Sequence, residues 1–188
     1  MNKTGFTLME MLVVVIILGI LASIAMPQYQ QAVYKARYVK IIPLVNSLRK
    51  AEEEYWLTHR RYAYDFSTLG FSAQGFSSAG SSGSEGGRDR VSTLRNRRGD
   101  TTLQIQENGG GTPVVVGYLT RGGSTIGYVV YLDKNDRNGT NTSAMARRWC
   151  YSWTTDAADW RYKLCTAVTG ARAPQENWEG PTRFQFPK

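Results

Sequence analysis

Histidine is nearly absent from this 188-residue chain, and cysteine occurs only twice. With His59 as the single histidine and Cys150 and Cys165 as the only thiols, there is no ligand set for zinc. A serine or cysteine nucleophile needs a base beside it, and His59 instead stands next to Arg60-Arg61 with no companion motif. Asp156 and Asp159 are the remaining candidates for acid–base work, but nothing near them in sequence marks a substrate pocket. An enzyme is therefore not expected, nor is a cofactor or a metal. Acidic charge is also scarce, with 15 Asp and Glu against 23 Lys and Arg, a formal net charge of +8.

What the chain does have is one long apolar run. From Phe6 to Met26 a helix rises about 30 Å at ~1.5 Å per residue, enough to cross the hydrocarbon core of a bilayer. Lys3 precedes the run and no acidic residue does, so the positive-inside bias keeps residues 1–5 in the cytoplasm and exports the chain beyond Pro27. A secretory signal peptide is the rival reading, with Ser23-Ile24-Ala25 as its cleavage site. Against it stands Glu10, a carboxylate at the apolar edge of the run. An ionisable group in a membrane helix calls for a function and a named partner.

Gly5-Phe6-Thr7-Leu8-Met9-Glu10, the apolar run and Pro27 together resemble the N-terminus of a type IV pilin or of a type II secretion pseudopilin. That resemblance implies cleavage after Gly5 by a prepilin peptidase, N-methylation of the new terminal Phe6, and delivery to an inner-membrane assembly platform. It also implies that Glu10 pairs with the terminal amine of an adjacent copy as the chain polymerises with itself. Gly19 and Pro27 match the pilin arrangement in which the helix loosens between a glycine and a proline. Gly19 and Ser23 further form a small-xxx-small pair that permits close helix approach.

Beyond Pro27, the apolar positions Ile41, Val45, Leu48, Ala51 and Tyr55 recur at intervals of three and four, which predicts an amphipathic helix over 27–58. Pro27 and Pro43 fall inside this pattern and predict bends. The stretch 70–87 is dominated by Gly and Ser and reads as a flexible loop.

Strand-like runs occur at 101–106, 113–120 and 125–133, separated by glycine-rich turns, and predict an antiparallel meander. The expected fold class is α+β, with the helix stripe covering one face of the sheet in a head of residues 59–188. In an exported chain the isolated pair Cys150 and Cys165 is most simply a disulfide bounding residues 150–165. Such a bounded region resembles the C-terminal part of many pilins more than that of the major pseudopilins. Trp149, Trp153 and Trp160 are expected to pack around it. Asp133-Lys134-Asn135-Asp136-Arg137-Asn138-Gly139 alternates oxygen-bearing side chains, but its register fails a calcium loop and fits a hairpin turn.

Basic residues cluster at Arg60-Arg61, Arg88 with Arg90, Arg95 with Arg97-Arg98, and Arg147-Arg148. Arg147 and Arg148, beside aromatics, are candidate contacts for a polyanion such as DNA, with binding that weakens steeply in salt. The expected function is a pilus subunit. The alternatives carried forward are a pseudopilin and a minor subunit that binds DNA or surfaces.

Overall fold

The computed structural model describes residues 7–83, 90–108, 112–132, 148–177 and 182–187. Helix α1 (Leu8–Val39) runs on as α2 (Ile41–His59) after a one-residue interruption at Lys40. The interruption has a cause in Pro43, which offers no N–H to the carbonyl of Val39 and crowds it with its ring. Pro27, by contrast, leaves α1 unbroken.

After the short α3 (Phe66–Leu69), eight strands among the described residues form one sheet. They are β1 (Phe76–Ser82), β2 (Arg90–Asn96), β3 (Thr101–Asn108), β4 (Thr112–Arg121), β5 (Ser124–Tyr131), β6 (Arg148–Ser152), β7 (Glu176–Asn177) and β8 (Thr182–Gln185). Helix α4 (Trp160–Thr169) lies between β6 and β7 in the chain. Every pairing is antiparallel and the spatial order is β1-β2-β3-β4-β5-β6-β8-β7. The expected meander appears as β3, β4 and β5.

Strand alternation sorts the side chains of the sheet onto two faces. Leu103, Ile105, Val115, Leu119, Ile126, Tyr128, Val130, Cys150 and Phe184 form the main core with Tyr38, Ile41, Val45 and Leu48 of the long helix. The other face carries a second cluster of Val114, Val116, Val129, Tyr131, Trp149 and Tyr151. Helix and sheet meet most closely at Gly117, where a Cβ would overlap Ile41 Cγ2 and lie 2.7 Å from Val45 Cγ2. Tyr38 secures the same seam by donating its hydroxyl hydrogen bond to the Gly127 carbonyl at 3.1 Å.

Three expectations are corrected here. The Gly- and Ser-rich stretch 70–87 is not all loop, since β1 occupies Phe76–Ser82 and pairs with β2 around a register shift between Ser78 and Ser81. The tryptophans do not gather round the disulfide. Trp149 is next to Cys150 on a strand and so points to the opposite face, Trp153 packs on Tyr118 and Tyr151, and Trp160 sits against Tyr34. Finally, the buried stripe of α2 passes through Glu52, leaving Ala51 and Tyr55 half-buried.

Glu52 is inside because the returning chain offers it a donor, the Ala63 N–H, 2.9 Å from Oε2. Its Oε1 is buried and, among the described residues, has no hydrogen-bond partner. Burial pushes the carboxyl up to about 8, against the pull of the Ala63 hydrogen bond and with a further push from the charge of Asp65. The unfolded chain releases this proton near 4.5 while the folded chain keeps it to about 8. Stability therefore falls as pH rises through that window, by on the order of 5 kcal/mol, and the loss is complete above it.

The disulfide joins Cys150 of β6 to Cys165 of α4, both fully buried, with Cα atoms 5.5 Å apart. It closes a loop of sequence separation 15 and clips α4 to the sheet.

Two outcomes are expected in urea denaturation of the full chain held in mild detergent. Glu52→Gln flattens the dependence of stability on pH between about 4.5 and 8, and retention of the parent's slope would remove the role given to this carboxyl. Replacing Cys150 and Cys165 together by serine lowers stability by about 3 kcal/mol, read from the shift in midpoint at unchanged slope.

Candidate functional site

The N-terminal end of α1 is built by a reciprocal pair. Thr7 is the N-cap, its Oγ1 accepting from the Glu10 N–H at 3.2 Å. Glu10 reaches back, and its Oε2 accepts from the Thr7 N–H at 2.8 Å and from the Thr7 hydroxyl at 2.9 Å. This is a capping box, in which two helix-end donors are satisfied at once. The negative charge also lies at the positive end of the helix dipole. Sequence reasoning fixed on Glu10 as a stranded charge and passed over Thr7, although Thr-x-x-Glu before an apolar run is the signature of such a cap. Both of these bonds fall on Oε2, and Glu10 is exposed.

From Leu8 to Met26 the large apolar side chains are exposed, with Leu8 at 85% and Val15 at 62%. The segment belongs to a helix long and apolar enough to cross a membrane, and its most apolar window buries nothing against its own chain. An exposed apolar surface this large marks a membrane-contacting or subunit-contacting face. Gly19 leaves open space around its Cα, and Ser23 turns its hydroxyl onto the Ile20 carbonyl at 2.7 Å. The face at Gly19 is thus smooth enough for another helix to approach closely.

The remaining candidates are dispersed. Gly5, Phe6 and Arg147 lie outside the described residues, as do residues 1–4 of the leader and the turn 133–139. Arg148 is tethered, its Nη2 donating to the Pro187 carbonyl at 2.5 Å. Arg60 stacks over Trp56 and Arg90 over Tyr64. His59 stacks on the Tyr55 ring, with Nδ1 3.2 Å from that residue's carbonyl oxygen. Asp159 caps α4 and pairs with Arg161 at 2.8 Å, while Asp156 accepts the Ala158 N–H. These two carboxylates serve local turns.

A family model, the prokaryotic N-terminal methylation motif, matches residues 1–26. The chain is 37% identical over 68 residues to the type IV major pilin protein PilE of Neisseria gonorrhoeae, covering 36% of this chain and 41% of that protein. A fimbrial protein of Neisseria meningitidis serogroup B is 40% identical over 57 residues, covering 30% of this chain and 34% of the relative. The alignment with a fimbrial protein of Pseudomonas aeruginosa reaches into the head, at 32% identity over 146 residues, 71% of this chain and 81% of the relative. The chain thus aligns with less than half the length of the Neisseria relatives and four fifths of the Pseudomonas one. No solved structure matches it. A prepilin-type terminus, a helix bare over its apolar half and an alignment that runs on into the head place this chain in the type IV pilin family.

Proposed function

We propose that the protein is a structural subunit of a type IV pilus. The observation that carries this reading is the apolar half of α1, uncovered by its own chain, beneath a head that is folded around its own core. Before assembly the bilayer covers that segment, with residues 1–5 in the cytoplasm and the head in the periplasm. A prepilin peptidase cuts after Gly5, and the new terminal Phe6 is N-methylated. At an inner-membrane platform the apolar helices of successive copies then replace lipid as one another's cover, and the subunit leaves the membrane for an extracellular fibre.

Glu10 sets the axial step in this scheme. Oε2 is already held by Thr7, so Oε1 is the atom left to accept the amine of Phe6 from the neighbouring copy. Among apolar helices an unpaired charge is costly and a matched pair is tolerated, so the bundle accepts the one register in which the two meet. The charge pair acts as a register mark, while dispersion and helix packing hold the bundle.

The disulfide-bounded C-terminal region and the resemblance of the head to a fimbrial protein favour a pilus over a secretion pseudopilus.

Intact mass measurement of fibres sheared from cells is expected to show a chain lacking residues 1–5, heavier by one methyl group and lighter by the two hydrogens of the disulfide. Glu10→Val lowers the yield of sheared fibres by at least roughly tenfold, since it removes the registering charge. Thr7→Ala, which breaks the cap but keeps the carboxylate, retains fibres. Fibres from Glu10→Val at the parent's level would overturn the registering role, and equal loss in both variants would reduce Glu10 to a helix cap.

A further inference from the structure

At the foot of the head, α1, α4 and the β4–β5 turn enclose a cleft of about 260 Å³. Its walls are apolar, including Ala32, Leu164 and Ala167, and three cations ring it, Lys35, Arg121 and Lys163. The Arg121 guanidinium lies flat over the Tyr34 ring, 4.2 Å from its centroid, and 5.8 Å from that of Trp160. Arg121 Nη2 also reaches Gln30 Oε1 at 3.4 Å. The neighbouring Arg161 is neutralised by Asp159, but among the described residues none of the three ringing cations forms an ion pair. An apolar cleft rimmed by uncompensated positive charge calls for an amphiphilic anion.

Its height on the molecule narrows the choice. Ala32 and Lys35 come six and nine residues after Met26, the end of the apolar run, or about 9 and 14 Å along the helix. The polar zone on each side of a bilayer's hydrocarbon core is about 5–8 Å deep, and Gln28 and Gln31, which line the lower end of the cleft, come about 3 and 8 Å beyond Met26, so the cleft opens among the headgroups and rises above them. Lysine stems of this length lie along apolar surface while the ammonium reaches toward a phosphate. Tyrosine and tryptophan, here in contact as Tyr34 and Trp160 with centroids 5.7 Å apart, suit the same interface. Sites that enclose whole small molecules run from about 300 to 1,000 Å³, so this cleft fits a headgroup whose acyl chains stay in the bilayer.

We propose that this cleft binds the headgroup of an anionic phospholipid from the outer leaflet of the membrane in which the precursor is anchored. The phosphate sits between Lys35, Lys163 and Arg121, and the glycerol end rests against Ala32 and Leu164. The bound lipid holds the head down on the bilayer until the helix is extracted. This inference rests on the membrane-anchored precursor proposed above.

The test uses the full chain reconstituted into vesicles of equal parts phosphatidylcholine and phosphatidylglycerol, with retained lipids counted by native mass spectrometry after release. The parent is expected to retain phosphatidylglycerol in preference to phosphatidylcholine. Lys35→Gln with Lys163→Gln reduces that preference by roughly thirtyfold, from about 1 kcal/mol per lysine. Lys50→Gln with Arg61→Gln, two exposed cations away from the cleft, leaves it in place. Millimolar inorganic phosphate does not displace the lipid.

Equal retention of the two lipids by the parent, or an equal drop in both charge variants, overturns the proposal. So does displacement by inorganic phosphate, which assigns the cluster to a soluble anion. Unchanged lipid preference in the Lys35 and Lys163 variant together with loss of fibres assigns the cleft to a second copy and overturns it as well. Co-flotation with pure phosphatidylcholine vesicles reads the anchor separately. A chain that floats without lipid preference sinks only the cleft, and one that does not float sinks both readings.

Discussion

The apolar half of α1 cannot satisfy its own need for cover. It is one continuous helix whose backbone bonds are internal apart from the one that Pro27 cannot make, so nothing in the backbone forces it to fold back, and its most apolar stretch is buried against none of the described residues of the head. The hydrophobic effect therefore acts between this segment and whatever surrounds it. The head is organised differently. Its core closes within the chain, between the C-terminal part of the same helical path and one face of an antiparallel sheet. One continuous path of helix thus carries two separate burial problems, one solved within the described part of the chain and one left outside it.

Charge placement obeys the same division. At the exposed end, Glu10 is held by Thr7 through Oε2. In the head, Glu52 is drawn inward by a single backbone N–H and is held in its protonated form at neutral pH by burial. The first carboxylate stays available because it ends a helix, and the second is withdrawn because it lies on the buried stripe of one. Four arginines among the described residues are engaged in ion pairs, Arg37 with Asp100, Arg49 with Glu53, Arg90 with Glu107 and Arg161 with Asp159.

Much of this was legible in the residues. The apolar run, the stripe at Ile41, Val45 and Leu48, and the Val- and Thr-rich strands announce themselves because each buries a regular side of a regular element. Strand β1 was not legible, since beyond Phe76 its side chains are exposed and it is held to β2 mainly by backbone pairing, with one side-chain hydrogen bond from Ser81 to Ser92. The place of Glu52 was hidden for another reason. A helix of 3.6 residues per turn brings both 51 and 52 near the stripe, and the Ala63 N–H that decides between them comes from a return of the chain that sequence periodicity does not describe. The opposite facing of Trp149 and Cys150 could have been read from strand alternation had β6 been recognised, but five residues give too short a pattern. The cleft over α1 joins residues from 28 to 167 and has no local signal at all.

The contact at Gly117 has an implication for how such a head can change over generations. With Ile41 and Val45 already filling the space where even one carbon would go, the smallest enlargement at this position has to push the helix away from the sheet. The seam under the helix therefore sets the fixed frame of the head, and any change elsewhere has to leave it in place.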